Sequence, residues 1–196
     1  MTATAVIDDQ TATAIRQALT AASGGRLAEA CTIGERALAG GGDVAALNAM
    51  LGMFRRQSGD IDASIGHLRI AHAARPLDLR IATNLAIALS ETGQHREALQ
   101  VVTEDLVRAD TSMHLARLRG FLAQTLEEYA LAVSCYERVV AANPSDWEAW
   151  NNLGNARRCV GDFEGSIAAL RRAAEIEPNS PPVRLNLADG RCRTAG

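Results

Sequence analysis

The sequence predicts an all-α protein made of stacked antiparallel helix hairpins, and three observations carry that prediction. Hydrophobic residues make up 47% of the 196 residues but aromatics only 4%, so the apolar fraction is mostly Ala, Leu, Val and Ile. Ala and Leu are strong helix formers, and small side chains let helices approach closely. An arrangement of apolar, small and turn residues also returns every thirty-four residues. Finally, Pro76, Pro144 and Pro178 stand where helices must stop and the chain must start again.

The periodicity is clearest from Trp147 to Ser180, with Trp150, Leu153-Gly154, Gly161-Asp162-Phe163 and Pro178 as its signposts. Stepping back by one period at a time meets Gly120, Ala132, Tyr136 and Pro144, then Leu85-Ala86, Gly93 and Ala98, then Leu51-Gly52, Gly59, Ser64, Leu68 and Pro76, then Ala18, Gly25 and Ala30. The register never slips. It divides the chain into a tail at 1–10, five repeats at 11–44, 45–78, 79–112, 113–146 and 147–180, and a remainder at 181–196.

Each signpost has a physical reason. The eighth position is always small (Ala18, Gly52, Ala86, Gly120, Gly154), and so is the twentieth (Ala30, Ser64, Ala98, Ala132, Ser166). Bulk where two helices cross closest would force them apart. Gly25, Gly59, Gly93 and Gly161 suit the left-handed turn that ends a first helix. Departures cluster in the middle of the chain. Asp105 replaces a small residue, Asp110 a proline, Glu127 a turn glycine and Arg119 a leucine. They predict an irregular junction between repeats three and four, while Gln17 and Gly34 predict a loosely packed first repeat.

A thirty-four-residue period with these signposts resembles the tetratricopeptide repeat, over about nine-tenths of the chain. The resemblance implies a right-handed superhelical solenoid in which the first helix of each hairpin lines a concave groove. Residues 181–196 read as the first helix of a sixth repeat, either a lone capping helix or the start of a longer chain. No linker interrupts 11–180, which predicts one domain. The Gly40-Gly41-Gly42 run lacks the Lys-Ser/Thr of a phosphate loop.

Composition narrows the function classes. The formal net charge is -3 and the pI about 5.8, against a nucleic-acid binder that must neutralise phosphates. All 20 basic residues are arginine, whose forked guanidinium suits carboxylates. Cys31, Cys135, Cys159 and Cys192 match no metal spacing. No secretory signal and no membrane-length apolar run occurs, which predicts a cytoplasmic chain without a membrane partner. His67, His72, His95 and His114 share no ligating face, and neither H-E-x-x-H nor G-x-S-x-G is present. The expectation is therefore a protein with no catalytic residues, no metal and no cofactor.

Function is then expected in the groove. The resemblance places its lining at positions 2, 5, 6, 9, 12 and 13 of each repeat. Asn84, Asn152 and Asn186 share position 6, and with Asn151 and Asn155 they offer amides that can pair with the backbone of an extended peptide. This is similar to the asparagine ladder of peptide-binding members, although N-N-L-G is also ordinary repeat composition. Arg16, Arg56, Arg80, Arg117 and Arg158 face Glu91, Glu148 and Asp189 at groove positions. That balance predicts an acidic partner segment or one with a free C-terminal carboxylate, with a solvated polar face as the alternative. Leu19 stands at a groove position of the first repeat, and Met50, Met53, Leu118 and Phe121 form an apolar stretch in the second and fourth that suits apolar ligand side chains or, equally, the core between repeats. Three functions stay open: a protein-binding adaptor, the substrate-recruiting N-terminal domain of a larger sulfotransferase or glycosyltransferase, and a self-assembling homo-oligomeric scaffold.

Overall fold

A computed structural model describes residues 8–193, with side chains to residue 187. The predicted tail up to residue 7, and the side chains of Asp189 and Cys192, lie outside the described residues. All regular secondary structure among those described is helical. The chain forms two compact units, one ending at Val101 and one beginning at Val102.

The first unit holds α1 (Asp9–Ser23), α2 (Leu27–Ala39), α3 (Val44–Gln57), α4 (Ile61–Ala74), α5 (Leu79–Glu91) and α6 (His95–Val101). Each helix packs on the next in sequence, and α1 also meets α3 and α3 meets α5. The second unit holds α7 (Glu104–Ala109), α8 (His114–Thr125), α9 (Tyr129–Ala142), α10 (Trp147–Cys159), α11 (Phe163–Ile176) and α12 (Pro181–Arg193). Here too each helix contacts its successor, and α10 also meets α12. Stacking of hairpins is what amphipathic helices too short to bury their own faces require.

Aspartates start six of these helices. Asp8, Asp43, Asp60, Asp146 and Asp162 each accept a hydrogen bond from the backbone N–H three residues on, at 2.8–3.2 Å. Asp78 accepts from Arg80 and Ile81 in the same way. A carboxylate at a helix start satisfies an otherwise orphaned donor and complements the helix dipole.

Close packing depends on a size match within three of the hairpins. A β-carbon at Gly52 would lie 2.6 Å from Leu68 Cγ, one at Gly154 2.6 Å from Leu170 Cγ, and one at Gly120 2.9 Å from Tyr136 Cε1. Position 24 supplies the bulk that position 8 vacates. The first repeat inverts the match, with Ala18 at position 8 and Gly34 at position 24. Gly34 is not the mark of a loose end. A β-carbon there would come within 2.9 Å of both Met50 and Leu51, so its absence lets α2 close on α3, where Ala18, Ala30, Leu47 and Leu51 are fully buried.

The same ion pair recurs between consecutive hairpins. Arg55 on α3 donates to Glu35 on α2 at 2.7 Å, and Arg157 on α10 donates to Glu137 on α9 at 2.8 Å, both across twenty residues.

The third repeat is where the pattern breaks. Its second helix stops at Val101, and Thr103 caps a new start at α7. The break rotates the register, so Asp105 is largely exposed while Leu106 and Val107 are buried. Arg119 donates to the backbone carbonyl of Val102, one of the groups left over at the interruption. Asp110, in place of proline, accepts from the N–H groups of Ser112 at 2.9 Å and Leu115 at 2.7 Å and so turns the chain into α8. Glu127 adopts φ 62, the left-handed conformation that Gly25, Gly59, Gly93 and Gly161 take at the corresponding turns.

Candidate functional site

The first unit contains a cavity of about 710 Å³ between helices α1, α3 and α5, with α4 contributing to its floor. Helix α1 brings Leu19, Ala22 and Ser23. Helix α3 brings Met53, Arg56 and Gln57, and α5 brings Asn84 and Glu91. Leu19 and Met53 are 46% and 47% exposed, apolar side chains left facing water, whereas Phe54 and Leu68 beneath them are buried. Of the predicted site residues, Arg56 and Asn84 thus come together here. Arg80 is exposed on the first turn of α5. Arg16 lines a separate depression of about 470 Å³ with Gln17, Thr20, Arg26, Glu29 and Ile33.

Arg56 is committed within the cavity. Its Nε donates to Glu91 Oε2 at 2.9 Å and its Nη2 to Glu91 Oε1 at 2.5 Å. This bidentate hydrogen bonding holds the Glu91 carboxyl below its ordinary range and raises the arginine. The two residues are one period plus one apart, the offset at which consecutive first helices meet. That offset is the signal by which the sequence announces the pair.

In the second unit, the same offset joins Asn186 on α12 to Asn151 on α10, the Asn186 amide donating to Asn151 Oδ1 at 2.9 Å. Asn151 is 8% exposed, so it holds helices together as well as facing its neighbours. Asn152 and Asn155 are half-buried, and Asn155 accepts from Arg158 at 3.4 Å. Arg117 donates to both carboxylate oxygens of Asp146 and lies 3.9 Å from Glu148. Phe121 is 51% exposed, whereas Met50 belongs to the core of the first unit. The floor residues Phe54, Ile61 and Leu68 of the cavity were not foreseen, because they come from core positions and from second helices.

Several other titratable groups are partly or wholly buried in the packing. His67 Nδ1 lies 2.8 Å from Asn48 Oδ1, while the Asn48 amide donates to the Val44 carbonyl. The ring nitrogen therefore carries the proton in that bond. Burial, then the nearby Arg55, lowers the His67 pKa, and burial alone lowers that of His72. Burial pushes the Cys135 thiol up to about 11, which makes it inert as a nucleophile. No group of His, Cys, Asp and Glu suited to a metal ion occurs among the described residues. No helix among them is long and apolar enough to cross a membrane.

Comparison with known proteins agrees with this architecture. A family model described as tetratricopeptide repeat matches residues 118–181. Tetratricopeptide repeat protein 33 of Homo sapiens is 30% identical over 96 residues, which cover 49% of the chain and 37% of that protein. The chain thus spans well under half of this curated relative. Among solved structures, MamA from Desulfovibrio magneticus superposes with a TM-score of 0.71 at 22% identity, over 79% of the chain and 87% of the other. YrrB, described as a repeat protein with an unusual peptide-binding site, superposes with a TM-score of 0.78 at 18% identity, over 87% and 88%. Residues 118–181 thus match the tetratricopeptide repeat, and the small positions at the helix crossings, the turn glycines and the stacked hairpins give both units the fold of such repeats.

Proposed function

We propose that the chain is a non-catalytic interaction module that binds an extended polypeptide segment in the groove of its first unit. One observation carries this reading: Leu19 and Met53, both about half-exposed, share the lining of a single cavity with the neutral amides of Gln57 and Asn84. Apolar side chains exposed beside amides match a peptide, whose side chains seek burial and whose backbone seeks donors and acceptors. The described peptide-binding site of YrrB, a structural neighbour, supports the same use of the fold. The buried free thiols Cys31 and Cys135 accord with a reducing, cytoplasmic setting.

The test is a phage-displayed library of random dodecapeptides panned on the purified chain. Clones that bind wild type are measured against Leu19→Asp/Met53→Asp, whose helical circular dichroism and melting are checked first. Both sites are substantially exposed, so the fold is expected to survive. A loss of about tenfold or more, equal to 1.4 kcal/mol, identifies the groove as the binding site. Equal binding to both proteins rejects it.

A further inference from the structure

We infer that the segment taken by this groove is uncharged where it crosses the cavity and is anchored by one large apolar side chain, with the Arg56–Glu91 pair setting that selection. This rests on the groove reading above and narrows its ligand class. The groove arginines suggested an acidic partner, but their placement points elsewhere. Among the residues that line the cavity, Arg56 and Glu91 are the charged ones, and they cancel. Two donors of the guanidinium and both oxygens of the carboxylate are already engaged with each other. Arg16 lines a different depression.

The selection follows from what each ligand would meet. An acidic side chain reaching for the remaining donors of Arg56 is repelled by the Glu91 carboxylate beside them, and displacing that carboxylate exchanges one ion pair for another. A basic side chain meets the converse repulsion from Arg56. An uncharged segment leaves the pair intact, seats its apolar side chain between Leu19 and Met53 above Phe54 and Leu68, and offers its backbone to Asn84 and Gln57. Met53 is flexible and polarisable, so anchors of different shape such as Leu, Met, Phe and Trp are accommodated, and the cavity of about 710 Å³ favours these large ones over small ones.

The library clones that depend on Leu19 and Met53 provide the test. Wild type is expected to enrich Leu, Met, Phe or Trp at one recurring position, with Asp, Glu, Lys and Arg depleted beside it. A synthetic peptide of that sequence should change affinity by less than about twofold between ~0.05 and ~0.5 M NaCl, since salt screens only charges. Panning on Glu91→Gln, which releases Arg56, should instead recover Asp or Glu next to the anchor, with binding that weakens severalfold over the same salt range. Groove-dependent clones of wild type that are acidic and salt-sensitive overturn the inference while leaving the groove as the site. So does an unchanged consensus on Glu91→Gln. Clones indifferent to Leu19 and Met53 overturn the groove itself, and this inference with it.

Discussion

In the second, fourth and fifth repeats, a large residue at position 24 fills the space that a glycine at position 8 leaves. Gly52 faces Leu68, Gly120 faces Tyr136 and Gly154 faces Leu170, each too close for an added methyl. Gly154→Ala gains helix propensity of about 1 kcal/mol but forces a β-carbon against Leu170 and the Ser166 carbonyl, an overpacking cost of about 1–3 kcal/mol. We expect a net loss of up to about 2 kcal/mol in urea unfolding. Combining it with Leu170→Val should recover part of that loss, so the double variant is more stable than the sum of its parts by about 1 kcal/mol. Strict additivity would show that the two sites do not share the space.

Turns and helix breaks decide how faithfully a hairpin follows the repeat. Glu127 holds the left-handed conformation at the α8–α9 turn that glycine holds elsewhere. A side chain there costs about 1–2 kcal/mol relative to glycine. Glu127→Gly is therefore expected to raise stability by about 1 kcal/mol once the greater entropy of the unfolded glycine is deducted. An unchanged or lower midpoint in urea would contradict this account of the turn. The four sequence departures near the centre of the chain have separate structural reasons. Asp110 turns the chain by hydrogen bonding, Asp105 is exposed by a register change, Arg119 caps an interrupted helix, and Glu127 tolerates strain. The sequence located the irregularity through the missing small residue and proline. It did not reveal the break at Val101–Glu104, because nothing in that stretch is a strong helix breaker.

Across the molecule, the hairpin period and the small positions were legible in the sequence, since both come from close helix approach, which constrains residue size directly. The candidate site was legible only in part. Lining positions on first helices could be counted from the repeat, which found Leu19, Met53, Arg56, Asn84 and Glu91, but pairing between charges depends on rotamers that no spacing fixes. Once the offset of one period plus one is known, Arg56–Glu91 and Asn151–Asn186 follow from it. Charge also shapes the response to acid. The folded pKa values of His67 and His72 lie below the ordinary 6.5, so the unfolded chain takes up protons first. Stability is full above that value and falls as pH drops through it. Glu91 and Glu97 are held below their ordinary 4.5 by Arg56 and Arg69, and their contribution is lost only in a second step below that value. Around His67 stand Arg55, Glu35 and Asp60. Asn48→Ala/His67→Val, the residues that the third repeat carries at these positions, should shrink the first step of the thermal-midpoint profile and spare the second. An unaltered first step would assign it to other groups.

The matching of positions 8 and 24 inside a single hairpin has an evolutionary consequence. In the second, fourth and fifth repeats the compensating partner lies sixteen residues away in the same repeat, so each of these carries its own fit at the crossing when it is copied. Gene duplication can add or remove such a repeat without disturbing that crossing. A point change at a crossing residue has to wait for its partner. Lineages of this protein should therefore vary more readily in repeat number than in the crossing residues of any one repeat.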